Sequence, residues 1–117
     1  MGEKANSELR LEVERRDRAV VIRVVGSVDM TDTDEFAGKL AELTAAQTPV
    51  IVLDLSDMEF ICSQGLGCII TAHLKGRHYQ GLVLLVNPQP AVYELFQTTR
   101  LTHLFPVFES VDAALTS

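Results

Sequence analysis

The sequence predicts an α/β domain with a mixed sheet of about four to five strands, in the order β-β-α-β-α-β-α-β-α. Short β-branched runs alternate along the chain with stretches whose apolar residues recur at helical spacing. The first two runs are joined by a charged turn that suits an antiparallel hairpin, and the later ones are separated by helices, which makes them parallel crossovers. The 117 residues, 47% apolar and 22% charged, fit one globular domain spanning residues 1–117, with the first seven flexible.

From Glu8 to Glu14, Leu9, Leu11 and Val13 alternate with charged residues, the period of a half-wet edge strand. Arg15 to Arg18 forms the turn, and Ala19 to Val25 returns as the second strand, ending at Gly26. Thr31 and Asp34 make a TxxD capping signal. Phe36, Leu40 and Leu43, with Ala37 and Ala46, then trace one stripe of a helix that reaches about Gln47, ahead of Pro49. Val50 to Leu55 reads as a central strand covered on both faces. After a short connection a second helix begins close to Ser63, with Leu66, Ile69, Ile70 and Leu74 on its apolar face and Lys75, Arg77 and His78 near its negative end.

Gly81 punctuates the chain before a buried strand from Leu82 to Val86. Asn87 and Pro88 suggest a cap and a first helical turn, followed by a core face of Val92, Leu95 and Phe96. Leu104 to Phe108 is an edge strand containing Pro106, and Ser110 caps a last helix ending near Leu115. In sheets of this kind function gathers beyond the carboxyl ends of the strands. Here that edge collects the loop after Gly26, the segment from Ser56 to Gly65, and the turn at Asn87 and Pro88.

Composition narrows the partners. A net charge of −6 repels phosphate backbones and anionic lipid surfaces, so nucleic acid and membrane are not expected partners. No export signal or bilayer-length apolar run is present, Asn6 stands where Gly2 myristoylation needs Ser or Thr, and Cys62 and Cys68 flank Gly65 and Gly67 in neither a metal nor a disulfide pattern. The expected compartment is the reducing cytoplasm.

The segment VIVLDLSDMEFICSQGLG delivers Ser63 from a buried strand to the first turn of a helix. A hydroxyl there is either a plain helix cap or a modification site, because the free N–H groups and dipole of a helix start accept a phosphate. This segment resembles the STAS domain of the anti-sigma factor antagonists, whose pattern is a hydrophobic strand, a loop ending in Asp-Ser-Ser/Thr-Gly-Leu-Gly, then a helix. CSQGLG occupies that place, Gly26-Ser27-Val28-Asp29 resembles the family's Gly-Glu-Leu-Asp turn, and AVYELFQTTRLTHLF resembles the closing segment. The resemblance implies helices packed mainly on one face of the sheet and a protein-binding switch with Ser63 as phosphoacceptor. It further implies an anti-sigma factor serine kinase as partner, which uses the ATP, and a metal-dependent serine phosphatase that reverses the modification. The chain itself then carries no cofactor and no metal.

Cys62 stands where the family carries Asp, and Gln64 where it carries Ser or Thr. That departure suits an alternative, a STAS scaffold or accessory subunit of a signalling complex or lipid transporter that is never phosphorylated. The expected partner-binding surface comprises Asp29, Met30, Met58, Phe60, Cys62, Ser63, Gln64, Leu66, Asn87 and Pro88, with Met58 and Phe60 equally readable as core.

Other constellations are thinner. ICSQG lacks the first glycine of a GxSxG nucleophile elbow, and nothing in the spacing of His73, His78 and His103 singles out a base for a small serine hydrolase. Cys62 beside a helix start is either a redox-sensitive thiol or a small residue in a tight loop. Asp29 and Asp54 read as nucleotide ligands or as turn and strand-end carboxylates, with no phosphate-binding glycine loop beside them.

Overall fold

A computed structural model describes residues 9–117, so the expected flexibility of the first seven residues and the place of Glu8 lie outside the described residues. The hairpin forms as the pattern requires: β1 (Arg10–Arg16) pairs antiparallel with β2 (Ala19–Val28) through a two-residue turn that is left-handed at Asp17. Then follow α1 (Thr33–Ala45), β3 (Val50–Asp54), β4 (Met58–Ile61), α2 (Ser63–Arg77), β5 (Leu82–Val86), α3 (Pro90–Thr98), a 3-10 turn (Leu101–His103), β6 (Val107–Phe108) and α4 (Val111–Leu115). The sheet has six strands in the order β1-β2-β3-β5-β6, with β4 beside β2, and all pairings after the hairpin are parallel.

Strand β4 is the main departure from the expected order: residues 58–61, within the expected connection between β3 and α2, form a strand of their own. Beside β3, β2 is paired only as far as Arg23. It continues past Gly26, whose φ of 99° suits a residue without a side chain, and takes β4 as its new neighbour across a register shift between Gly26 and Ser27. The Gly26 N–H donates to the Asp57 carbonyl at 3.0 Å, which pins the start of β4.

Both faces of the central strands are covered, which is why they read as continuous apolar runs. Val20, Ile22 and Val24 of β2, Ile51 and Leu53 of β3, and Val83 and Leu85 of β5 point to the larger core, with Phe36 and Leu40 of α1, Ile69 of α2 and Phe96 of α3. The intervening Val21, Val52, Leu84 and Val86 meet Ala114 of α4 on the other face.

Several boundaries move. The α1 N-cap is Asp32, not the Thr31 of the TxxD signal, and the helix stops at Ala45 because Gln47 turns left-handed and the Thr48 N–H closes onto the Leu43 carbonyl. Asn87 and Pro88 do not start α3. Asn87 is left-handed, its N–H donates to the Phe108 carbonyl at 2.8 Å, and Pro90 takes the first helical position behind Gln89. Only Val107–Phe108 of the expected last strand is strand, since Phe105 is drawn into the core behind the 3-10 turn. Ser110 caps α4 as expected, its hydroxyl accepting the Ala113 N–H.

Candidate functional site

Three loops meet at the carboxyl ends of the parallel strands: 29–32 after β2, 55–57 with the end of β4, and 87–89 after β5. Backbone bonds tie them together. The Cys62 N–H donates to the Val28 carbonyl, joining the ends of β4 and β2, the Leu55 N–H donates to the Val86 carbonyl, and the Gln89 side-chain amide reaches the Ser56 carbonyl at 3.0 Å.

Ser63 is the first residue of α2 and is exposed. Its hydroxyl makes no hydrogen bond among the described residues. The first bond of the helix runs from the Leu66 N–H to the Cys62 carbonyl, which leaves the three N–H groups of Ser63, Gln64 and Gly65 at the positive end of the helix dipole. Cys62 is the N-cap in an extended conformation and supplies no side-chain cap, so it behaves there as a small half-buried residue.

Gly65 sets how closely this turn lies on the sheet. A Cβ at Gly65 would come within 2.7 Å of Ile61 Cγ1 and 3.0 Å of Val28 Cγ1, both buried at the ends of β4 and β2. Gly65→Ala should therefore cost about 1–3 kcal/mol by overpacking. Gly67→Ala, whose Cβ meets nothing within 4 Å, should gain about 0.5–1 kcal/mol from helix propensity. Denaturant unfolding of the two variants checks this pair.

The loop after β2 is held by its own carboxylates. Asp29 Oδ1 accepts from the Thr31 N–H and hydroxyl at 3.1 and 2.8 Å, and Asp32 Oδ2 accepts from the Asp29 N–H at 3.2 Å. The result is a rigid turn that holds Met30 out in solvent, 67% exposed. Asp54 accepts from both the Ser56 N–H and hydroxyl, so both aspartates weighed as nucleotide ligands are engaged in local turns. Asp29 and Asp57 in these loops, Asp34 in the first turn of α1 and Glu59 on β4 make this edge acidic, and residues 29–32, 55–57 and 87–89 include no lysine, arginine or histidine.

The expected surface residues separate into two groups. Asp29, Met30, Phe60, Ser63, Gln64 and Asn87 are exposed, and Cys62 and Pro88 are half-buried. Met58 and Leu66 are corrected: Met58 is fully buried and Leu66 nearly so, both in the main core and out of reach of a docked partner. Phe60, two residues from Met58, is 50% exposed.

The sequence reading missed Gln89 and an ion-pair relay on β2. Arg23 bonds Glu12 at 2.8 Å and also Asp57, fastening the loop that leads into β4. Hydrogen bonding from Arg23 holds the Glu12 carboxyl below its usual range. Arg23 was legible only as a charged interruption of an apolar run. Among the described residues no histidine is within hydrogen-bonding reach of Ser63, and His73 stacks edge-on against Phe105. Cys68 packs half-buried against the main core, and that burial raises its thiol pKa. No group of histidine, cysteine and carboxylate side chains among the described residues is placed to hold a metal.

At this edge the mixed sheet brings together a rigid acidic loop, the exposed side chains of Met30 and Phe60, and a serine at a helix start whose hydroxyl has no hydrogen-bond partner among the described residues. The chain belongs to the STAS domain family, whose model matches residues 10–114. It is 26% identical over 109 residues to an anti-sigma F factor antagonist of Paenibacillus polymyxa, covering 92% of this chain and 93% of that protein. The crystal structure of an anti-sigma factor antagonist from Mycobacterium paratuberculosis superposes with a TM-score of 0.85 at 29% identity, over 94% of this chain and 93% of the other. The phosphorylated form of the Bacillus cell fate determinant SpoIIAA shares the fold, with a TM-score of 0.74 at 20% identity over 92% of this chain and 97% of that one.

Proposed function

We propose that the chain is an anti-sigma factor antagonist of the cytoplasm, a binding switch and not a catalyst. Its unmodified Ser63 face docks an anti-sigma factor kinase and so frees a sigma factor. The observation that carries this reading is Ser63 itself: an exposed hydroxyl with no partner among the described residues, at the first position of a helix whose N-terminal N–H groups can receive a phosphate without unfolding the domain. The names of the relatives supply the partner class, and one of the solved relatives is a phosphorylated protein. In this reading the kinase supplies the ATP, a metal-dependent phosphatase removes the phosphate, and the chain needs no cofactor. No helix among the described residues is long and apolar enough to cross a membrane.

A phosphate on Ser63 adds about −1.5 to −2 charges at an acidic edge whose loops contain no cation of their own and where Arg23, beside Asp57, is already paired. Under a docked partner that anion is desolvated and unpaired, which opposes binding. Cys62 favours a second reading, a scaffold that binds but is never phosphorylated, because a cysteine side chain does not reproduce the two-oxygen acceptor geometry of a carboxylate beside the acceptor hydroxyl.

Incubation with ATP and candidate ATP-binding anti-sigma factors separates the two. The switch gives a mass gain of one phosphate that disappears in Ser63→Ala. Binding without any mass gain, across every partner that binds, selects the scaffold.

A further inference from the structure

We propose that the cleft between α1 and α2 binds an amphipathic monocarboxylate, an alkyl chain of medium length ending in one carboxylate. The cleft has a volume of about 440 Å³. Its walls are small or apolar, built from Ala37, Leu40 and Ala41 on α1 and Gly67, Cys68 and Ala72 on α2. Gly67 faces the open space of this cleft, since a Cβ there would meet nothing within 4 Å. Such walls favour an alkyl chain over a polar ligand.

Charge selects the head group. In a chain of net charge −6, no carboxylate among the described residues lines this cleft, and Lys75 is the one charged residue among them that does. Lys75 makes no ion pair among the described residues, whereas Lys39 on the facing helix pairs with Glu42 at 3.2 Å. Lys75 also sits in the last turn of α2, away from the acidic loops at the helix start. A single ammonium at one end of an apolar trough complements one negative head group. Gln64 marks the other end, about 16 Å away along the helix axis at 1.5 Å per residue, which gives the alkyl chain its length. The site is independent of the switch reading, although its Gln64 end adjoins Ser63.

The probe is dodecanoate, held below its micelle concentration and titrated into the full chain by calorimetry and by backbone NMR. The expected result is saturable one-to-one binding, with shifts concentrated at Gly67, Cys68 and Thr71. Lys75→Glu should weaken it at least tenfold, and Gly67→Leu should abolish it with an unchanged circular dichroism spectrum. Dodecyltrimethylammonium, the same chain with the opposite charge, should not saturate. Absence of saturable dodecanoate binding, shifts scattered away from α1 and α2, or equal binding of the cationic analogue would overturn the proposal. Because the NMR map is made on the native chain, the result stands even if Gly67→Leu fails to fold.

Discussion

Met58→Ala is expected to lower the unfolding free energy by about 2–5 kcal/mol, the cost of a cavity where a fully buried side chain has been removed. Phe60→Ala, only two residues along the same strand, should cost about 1 kcal/mol, well below Met58→Ala, since half of the residue already faces water. In binding to an anti-sigma partner the order reverses. Phe60 is a large exposed aromatic three positions before Ser63, the type of anchor whose truncation costs about 2 kcal/mol or more, roughly thirtyfold in affinity. Met58→Ala that retains its fold should bind within a fewfold of the native chain. Denaturant melts and partner titrations on both variants measure the two effects separately. A stability loss at Phe60 equal to that at Met58 would mean that β4 presents no face to a partner.

The contrast between these two residues shows where the sequence was readable. Strands β2, β3 and β5 announce themselves as apolar runs, broken in β2 only by Arg23 before Gly26, because each is buried on both faces, and the start of α2 is marked by Ser63 ahead of a glycine pair and an i, i+3 apolar face. β4 carries no such mark. Its buried residues are Met58 and Ile61, three apart, with Glu59 and Phe60 both exposed between them, so period-two alternation is absent. The pairing with β2 is irregular at Gly26 and Ser27, a feature of the partner strand that no local pattern in residues 58–61 reveals. Asn87 misled for a related reason. Its left-handed backbone is set by the bond to Phe108 on β6, a contact distant in sequence that overrides the local Asn-Pro capping signal. The serine at the centre of the site was legible because helix starts are local, while the division of its neighbours into core and surface was not, because that depends on which strand lies alongside.

Ser63→Asp is expected to weaken binding to the anti-sigma partner on the order of a hundredfold, while Ser63→Ala binds like the native chain. A carboxylate at the first position of α2 is compatible with the free chain: it faces solvent and meets the positive end of the helix dipole, so stability should hold or rise by about 0.3–1 kcal/mol. The penalty arises only on docking. An uncompensated buried charge costs about 3–5 kcal/mol, and even 3 kcal/mol corresponds to roughly two decades in affinity. The adjoining loops hold no cation to offset it: Asp29 and Asp57 there are acidic, as are Asp34 on α1 and Glu59 on β4, and Arg23, bonded to both Glu12 and Asp57, is already engaged. Opposite effects of one substitution on stability and on affinity separate a charge mechanism from simple misfolding. If Ser63→Asp folds as well as the native chain and also binds as tightly, the serine is not where the switch acts, and the exposed Met30 and Phe60 must carry recognition without it.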